Sequence, residues 1–96
     1  MLLIVTLTVR RDQLDEFRRY EHAAATIMKQ HAGVIEHAYV IDDGGDTLRE
    51  VHVVRFRDDD AFAAYRTDPD LVTMRSIRER CIVATEINRA TDGPIY

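Results

Sequence analysis

Residues 32–56 read AGVIEHAYVIDDGGDTLREVHVVRF. Two runs rich in β-branched and aromatic residues flank DDGGD at 42–46, and paired glycines accept the positive φ of a tight turn. The segment therefore predicts a β-hairpin. With Gly44 and Gly45 as the two turn residues, Ile41 faces Leu48, Tyr39 faces Glu50, His37 faces His52 and Ile35 faces Val54. Directly opposed residues share a sheet face, so two histidines, a tyrosine and a glutamate are expected together. The other face then carries Val34, Glu36, Ala38 and Val40 with Arg49, Val51, Val53 and Arg55. A slip of one residue would put His37 and His52 on different faces. Phe56 continues the face of His52 and Val54. Its place just before a helical segment suits packing under Phe62 and Tyr65, which puts the histidine cluster on the helix side.

The rest of the chain arranges itself around this hairpin. Leu2 to Val9 is apolar on both pleat faces, as in a strand covered on both sides. Asp12 is a candidate cap for a helix running to about His31. Asp58 caps a second helical region, which breaks at TDPDL and restarts at Asp68-Pro69. CIVATEIN, 81–88, is a fourth strand. The order β-α-β-β-α-β specifies an α+β, ferredoxin-like domain over residues 1–89, followed by a tail, 90–96. Its four-stranded antiparallel sheet has two helices on one face. The helices cannot cover the second apolar face of the first strand, so a homodimer through that face is expected. The tail, with Ile95 and Tyr96, either frays or reaches to the partner.

At about 100° per residue, Leu14, Phe17, Tyr20, Ala24, Ile27 and Met28 form the core stripe of the first helix. Glu21 and His31 fall in the same sector. His22 lies opposite, toward solvent, and cannot share a metal with His31. His31 suits the negative end of the helix dipole. A carboxylate among Phe17, Ala24 and Met28 is costly unless paired or set against a wet cavity. Glu21 therefore either lies at the edge of the stripe and snorkels out, or pairs with an arginine, or faces a pocket between helix and sheet.

The bulk numbers narrow the function. The 96 residues suffice for one domain, and 46% hydrophobic with 31% charged residues is a globular composition. The net charge of −4, with both signs interspersed, opposes nonspecific nucleic-acid binding. An RNA-binding sheet would also need aromatics on its central strands. Cys81 is the only cysteine, which excludes an intrachain disulfide and a cysteine-rich zinc site. The apolar N-terminus lacks basic flanks and is too short to span a bilayer as a helix. No membrane partner is expected, and the cytoplasm is the default location.

Two histidines and a carboxylate are chemically able to hold a divalent metal. No HxH, HxxxH or HExxH spacing supports one, however, so neither metal nor cofactor is expected. No P-loop, GxGxxG or nucleophile elbow occurs. The reading that fits is acid–base chemistry on a small molecule. His37 and His52 would be base and proton donor, with Glu21, Tyr39, Glu50 and Tyr65 contacting the ligand. The alternatives are a non-catalytic ligand-binding or structural dimer and an isomerase or lyase.

VTLTVRRDQLDEFRRYE (5–21), HAGVIEHAYV (31–40) and VVRFRDDDAFAAYRTDPD (53–70) together resemble the dimeric α+β-barrel superfamily. Within it the chain looks like the small antibiotic-biosynthesis-monooxygenase-like proteins. The likeness runs to about Asn88. It implies a homodimer whose sheets face each other, with a pocket between sheet and helices in each protomer. It also implies, for some members, oxidation of phenolic or quinol substrates by oxygen without a cofactor. The tryptophan and asparagine used by some monooxygenase members have no match here, since the chain has no Trp and its one Asn is Asn88. No histidine matches the ligand of the haem-degrading branch. The resemblance thus implies a cofactor-independent, monooxygenase-like enzyme for an aromatic or polyketide-like compound.

Overall fold

The computed structural model describes all residues, 1–96. Strand β1 (Leu2–Arg10) leads through a 3-10 turn at Arg11–Gln13 into helix α1 (Leu14–Gln30). Strands β2 (Gly33–Ile41) and β3 (Thr47–Phe56) form the hairpin. The second crossover is divided into α2 (Asp59–Arg66), α3 (Pro69–Val72) and α4 (Arg75–Cys81), which precede β4 (Ile82–Ala90). The sheet order is β2-β3-β1-β4 with antiparallel neighbours throughout. This is the expected ferredoxin-like α+β fold.

The helices cover the sheet face that carries Leu3, Leu7 and Val9 of β1 with Leu48, Val54 and Phe56 of β3, all buried. Phe17, Tyr20, Ala24, Ile27 and Met28 of α1 are buried, as the helical periodicity requires. The core has two parts. One holds Leu7, Val9, Phe17, Tyr20, Ala24, Cys81 and Ile82; the other holds Leu3, Met28, Val54, Phe56 and Ala61. Half-buried Val5 packs against both. It lies opposite His52 in the sheet, so polar groups stand where the core divides.

The caps of the second crossover form as their sequences indicate. The Asp58 carboxylate accepts from the Ala61 N–H at 2.8 Å, and Asp68 accepts from the Asp70 N–H with Pro69 opening α3. Asp12 does not cap α1. It lies inside the 3-10 turn, and Gln13 occupies the N-cap without a side-chain bond.

The hairpin departs from expectation in register. Ile41 faces Arg49, Tyr39 faces Val51, Ala38 faces His52 and His37 faces Val53. Lower in the hairpin Ile35 does face Val54, and the register shifts between Ile35 and His37. Both turn glycines have positive φ, 82° and 87°. The loop they sit in is wider than a two-residue turn because its polar groups are committed elsewhere. The Asp42 carboxylate accepts from the Gly44 N–H at 3.0 Å and from the Arg11 guanidinium. Arg11 also donates from Nε to the Gly45 carbonyl at 2.6 Å and from its backbone N–H to the Asp46 carbonyl. The loop consumes one extra residue, and a bulge at Glu36 restores the register below it. His37 and Tyr39 are thereby turned to the uncovered face, where their rings stack 6.2 Å apart.

That face also carries half-buried Leu2, Ile4, Val51 and Val53, with Val34 and Ile41 more exposed. Beyond β4, Thr91–Tyr96 forms neither helix nor strand, and Ile95 and Tyr96 are fully exposed.

Gly33 is needed for closeness and not for its dihedral. Ala32 takes the left-handed conformation that ends α1, with φ 56°. A Cβ on Gly33 would lie 2.4 Å from Phe56 Cε1 and 2.6 Å from Met28 Cγ. Gly33→Ala therefore overpacks the core and is expected to lower unfolding free energy by about 1–3 kcal/mol in urea titration. Gly93→Ala, with open space around it, is expected to stay within about 0.5 kcal/mol of wild type.

Candidate functional site

A cavity of about 510 Å³ lies between the helix side of the sheet and the helices. Leu3, Val5, Leu7 and Val54 form its floor, with Tyr20 and Glu21 of α1 and the side chains of α2–α4 as walls. It is mostly apolar with a few convergent polar groups, the usual make-up of a small-molecule site.

His52 is the centre of the polar set and only 4% exposed. Its Nε2 is 2.7 Å from Glu50 Oε1, and its Nδ1 is 3.9 Å from Glu21 Oε2. Glu50 and His52 alternate on one face of β3, as residues two apart on a strand must. Glu21 comes down from α1. An ionised Glu50 only accepts, so a neutral His52 bonded to it carries its proton on Nε2. The Nδ1 lone pair then points toward Glu21, which with His52 lines the cavity.

The electrostatics follow from this packing. Burial by itself would lower the His52 pKa. The hydrogen bond with Glu50 and the charges of Glu21 and Glu50 outweigh it, and the net shift is upward from 6.5. Burial pushes the Glu21 carboxyl up, opposed by His52 and reinforced by Glu50. Burial also raises the phenols of Tyr20 and Tyr65 above their ordinary value of 10. Both phenols hold their protons at neutral pH and are able to donate hydrogen bonds. No buried side-chain nitrogen or oxygen lacks a hydrogen-bond partner.

Of the residues singled out from sequence, Glu21, Glu50, His52 and Tyr65 are brought together. Glu21, His52 and Tyr65 line the cavity directly, and Glu50 reaches it through His52. His37 and Tyr39 are not part of the set. The register difference puts them on the opposite sheet face, with Tyr39 56% exposed. The expected His37–His52 pair is corrected accordingly. His22 is exposed. His31 ends α1 and bonds Asp68 through Nε2 at 2.7 Å, so it ties α1 to the start of α3 in addition to meeting the helix dipole.

Two members of the site were missed from sequence. Tyr20 was visible only as a core residue of the α1 stripe. Arg78 lies on α4 and donates to the Thr85 hydroxyl of β4 at 2.5 Å. Its charge acts on Glu21, Tyr20 and Tyr65. Nothing local in SIRERC marks Arg78, because its approach depends on how the broken crossover packs. No group of three or more His, Cys, Asp or Glu side chains is arranged to hold a metal ion, and no helix is long and apolar enough to cross a membrane.

No protein-family model and no curated protein matches this chain. Solved structures do. A candidate antibiotic biosynthesis monooxygenase from Bacteroides thetaiotaomicron superposes with a TM-score of 0.74 at 13% identity, over 96% of this chain and 88% of that one. SnoaB, a cofactor-independent oxygenase from Streptomyces nogalater, gives 0.67 at 14% identity over 96% and 94%. A NIPSNAP domain protein from Burkholderia xenovorans gives 0.64 at 17% identity over 99% and 100%. The chain shares the ferredoxin-like α+β fold of these structures. The resemblance seen in the sequence holds at the level of fold, and these identities carry it no further.

The His52 shift has a sign that titration checks. The folded state binds this proton more tightly than the unfolded state does. The associated stability is complete below pH 6.5 and is lost as pH rises through the higher folded pKa. NMR titration of His52 is expected to give a midpoint above 6.5, lowered in Glu50→Gln and less so in Glu21→Gln. A midpoint unmoved by Glu50→Gln would contradict the assigned hydrogen bond.

Proposed function

We propose that this protein is a small-molecule enzyme of the monooxygenase-like type, acting without a cofactor on an aromatic or polyketide-like compound held in the helix–sheet cavity. The observation that carries the reading is the Glu50–His52 pair. It fixes an imidazole by Nε2 at the wall of an apolar cavity and leaves Nδ1 free to take a proton. Oriented bases of this kind contribute roughly 10²–10⁴-fold to proton transfer. The fold shared with SnoaB, described as a cofactor-independent oxygenase, supports the reaction class by analogy.

The chemistry balances with dioxygen as co-reactant. His52 Nδ1 removes a proton from an acidified ring methylene. Tyr20 and Tyr65 stabilise the resulting anion by donating to its oxygen. The anion supplies electrons to dioxygen and forms a carbon–oxygen bond. The proton on His52 passes to the distal oxygen, giving a hydroperoxide. Loss of water from it leaves a carbonyl, so that one oxygen atom enters the product and the other leaves as water. Glu21, held beside Nδ1, polarises this exchange.

The same reading takes the working form to be a cytoplasmic homodimer through the uncovered sheet face. Leu2, Ile4, Val51 and Val53 supply apolar surface there, with Tyr39 and Ile41 at one side. An apolar face of this kind marks an interaction site.

With an anthrone or quinol substrate, His52→Gln is expected to reduce oxygen consumption by about 10²-fold or more. His37→Ala is expected to keep full turnover. Full activity in His52→Gln would remove the proposed base. In sedimentation velocity the wild type is expected to be a dimer at micromolar concentration and Val53→Arg a monomer. A monomeric wild type would overturn the dimer.

A further inference from the structure

The arginines are unevenly paired. Of the chain's twelve, six lie within 4 Å of a carboxylate, namely Arg11, Arg49, Arg55, Arg57, Arg80 and Arg89. Six do not, and three of these, Arg66, Arg75 and Arg78, line the cavity. A chain of net charge −4 thus gathers unpaired cationic groups around its one mostly apolar cavity of this size.

Arg78 is the best placed. It is half-buried, and Nη2 is anchored on the Thr85 hydroxyl at 2.5 Å. One of its five N–H donors makes that bond, and no carboxylate meets the others within ion-pair distance. A planar guanidinium held in this way is preorganised for a two-oxygen acceptor. Arg75 lies three residues earlier, one turn up α4 on the same face. Arg66 sits over the Phe62 ring, 5.4 Å from its centroid, at the same wall. The carboxylates facing this region are Glu21, beside His52, and Glu79, exposed on α4. Neither bonds Arg78, and Glu21 is associated with His52 instead.

We propose that the ligand carries a carboxylate, which binds Arg78 with Arg75 as supporting charge, while its apolar ring system occupies the floor of Leu3, Val5 and Val54. The inference rests on the cavity being the ligand site and deepens that reading by naming the substrate class as an aromatic carboxylic acid. It requires no particular reaction. A carboxylate at Arg78 fixes the ring's orientation and so decides which ring position meets His52. Arg78 is in this respect a specificity-determining residue.

Isothermal titration with 2-naphthoate and its neutral counterpart 2-naphthalenemethanol tests this without turnover. Naphthoate is expected to bind at least about tenfold more tightly, as for a hydrogen-bonded charged pair. Arg78→Gln is expected to abolish the difference by weakening naphthoate alone. Arg78→Lys, which keeps the charge and loses the fork, should retain part of it, and Arg75→Gln should weaken naphthoate severalfold. Equal binding of the two probes to wild type, or discrimination that survives in Arg78→Gln with an intact far-UV spectrum, overturns the carboxylate site and leaves the His52 reading standing. Binding of neither probe at millimolar concentration overturns both, because the cavity would then not be a ligand site.

Discussion

An imidazole enclosed between two carboxylates under a helix is the constraint on which this structure depends. Removing three ionisable groups from water is expensive unless each finds a partner. His52 meets the condition through Glu50 at 2.7 Å, with Glu21 3.9 Å away on its other nitrogen. The site also requires the surrounding core to part. The apolar residues form two clusters, and only Val5 on the β1 floor packs against both among the strand residues. A chain of this size can ill spare buried apolar surface, and the division leaves the cavity between sheet and helices.

The hairpin loop governs which groups reach this position. Arg11 reaches forward from the end of β1 to bind Asp42 and the Gly45 carbonyl. It holds the Asp42 carboxyl down to about 2 by its hydrogen bond, with the Gly44 N–H adding to the effect. That long-range contact lengthens the loop by one residue and passes the excess to the bulge at Glu36. His37 and Tyr39 are sent to the uncovered face, and His52 faces Ala38 instead of a second histidine. A single imidazole supported by carboxylates replaces the histidine pair that the local turn rule predicts.

Much of this was legible beforehand, for identifiable reasons. Period-2 and period-3.6 patterns fixed the element order, the core stripe of α1 and the unusual position of Glu21. Phe56 correctly assigned His52 and Glu50 to the helix side. Asp58 and Asp68-Pro69 announced their caps because capping is local. What failed was non-local. The register depended on Arg11, thirty-one residues from Asp42, and Asp12 was displaced from capping by the 3-10 turn. Arg78 and Tyr20 joined the site through tertiary packing of a crossover in three pieces, which no short motif encodes. The fold comparisons at 13–17% identity agree with that division: architecture is shared, and the polar set must be read from this chain.

The central claim is that Glu50 fixes the His52 tautomer so that Nδ1 faces the cavity unprotonated. Nitrogen-15 chemical shifts of the His52 ring, recorded above its titration midpoint, measure this directly. The account predicts a protonated Nε2 and a bare Nδ1. A protonated Nδ1 would contradict it, because the lone pair would then be directed at Glu50 and no base would face the cavity.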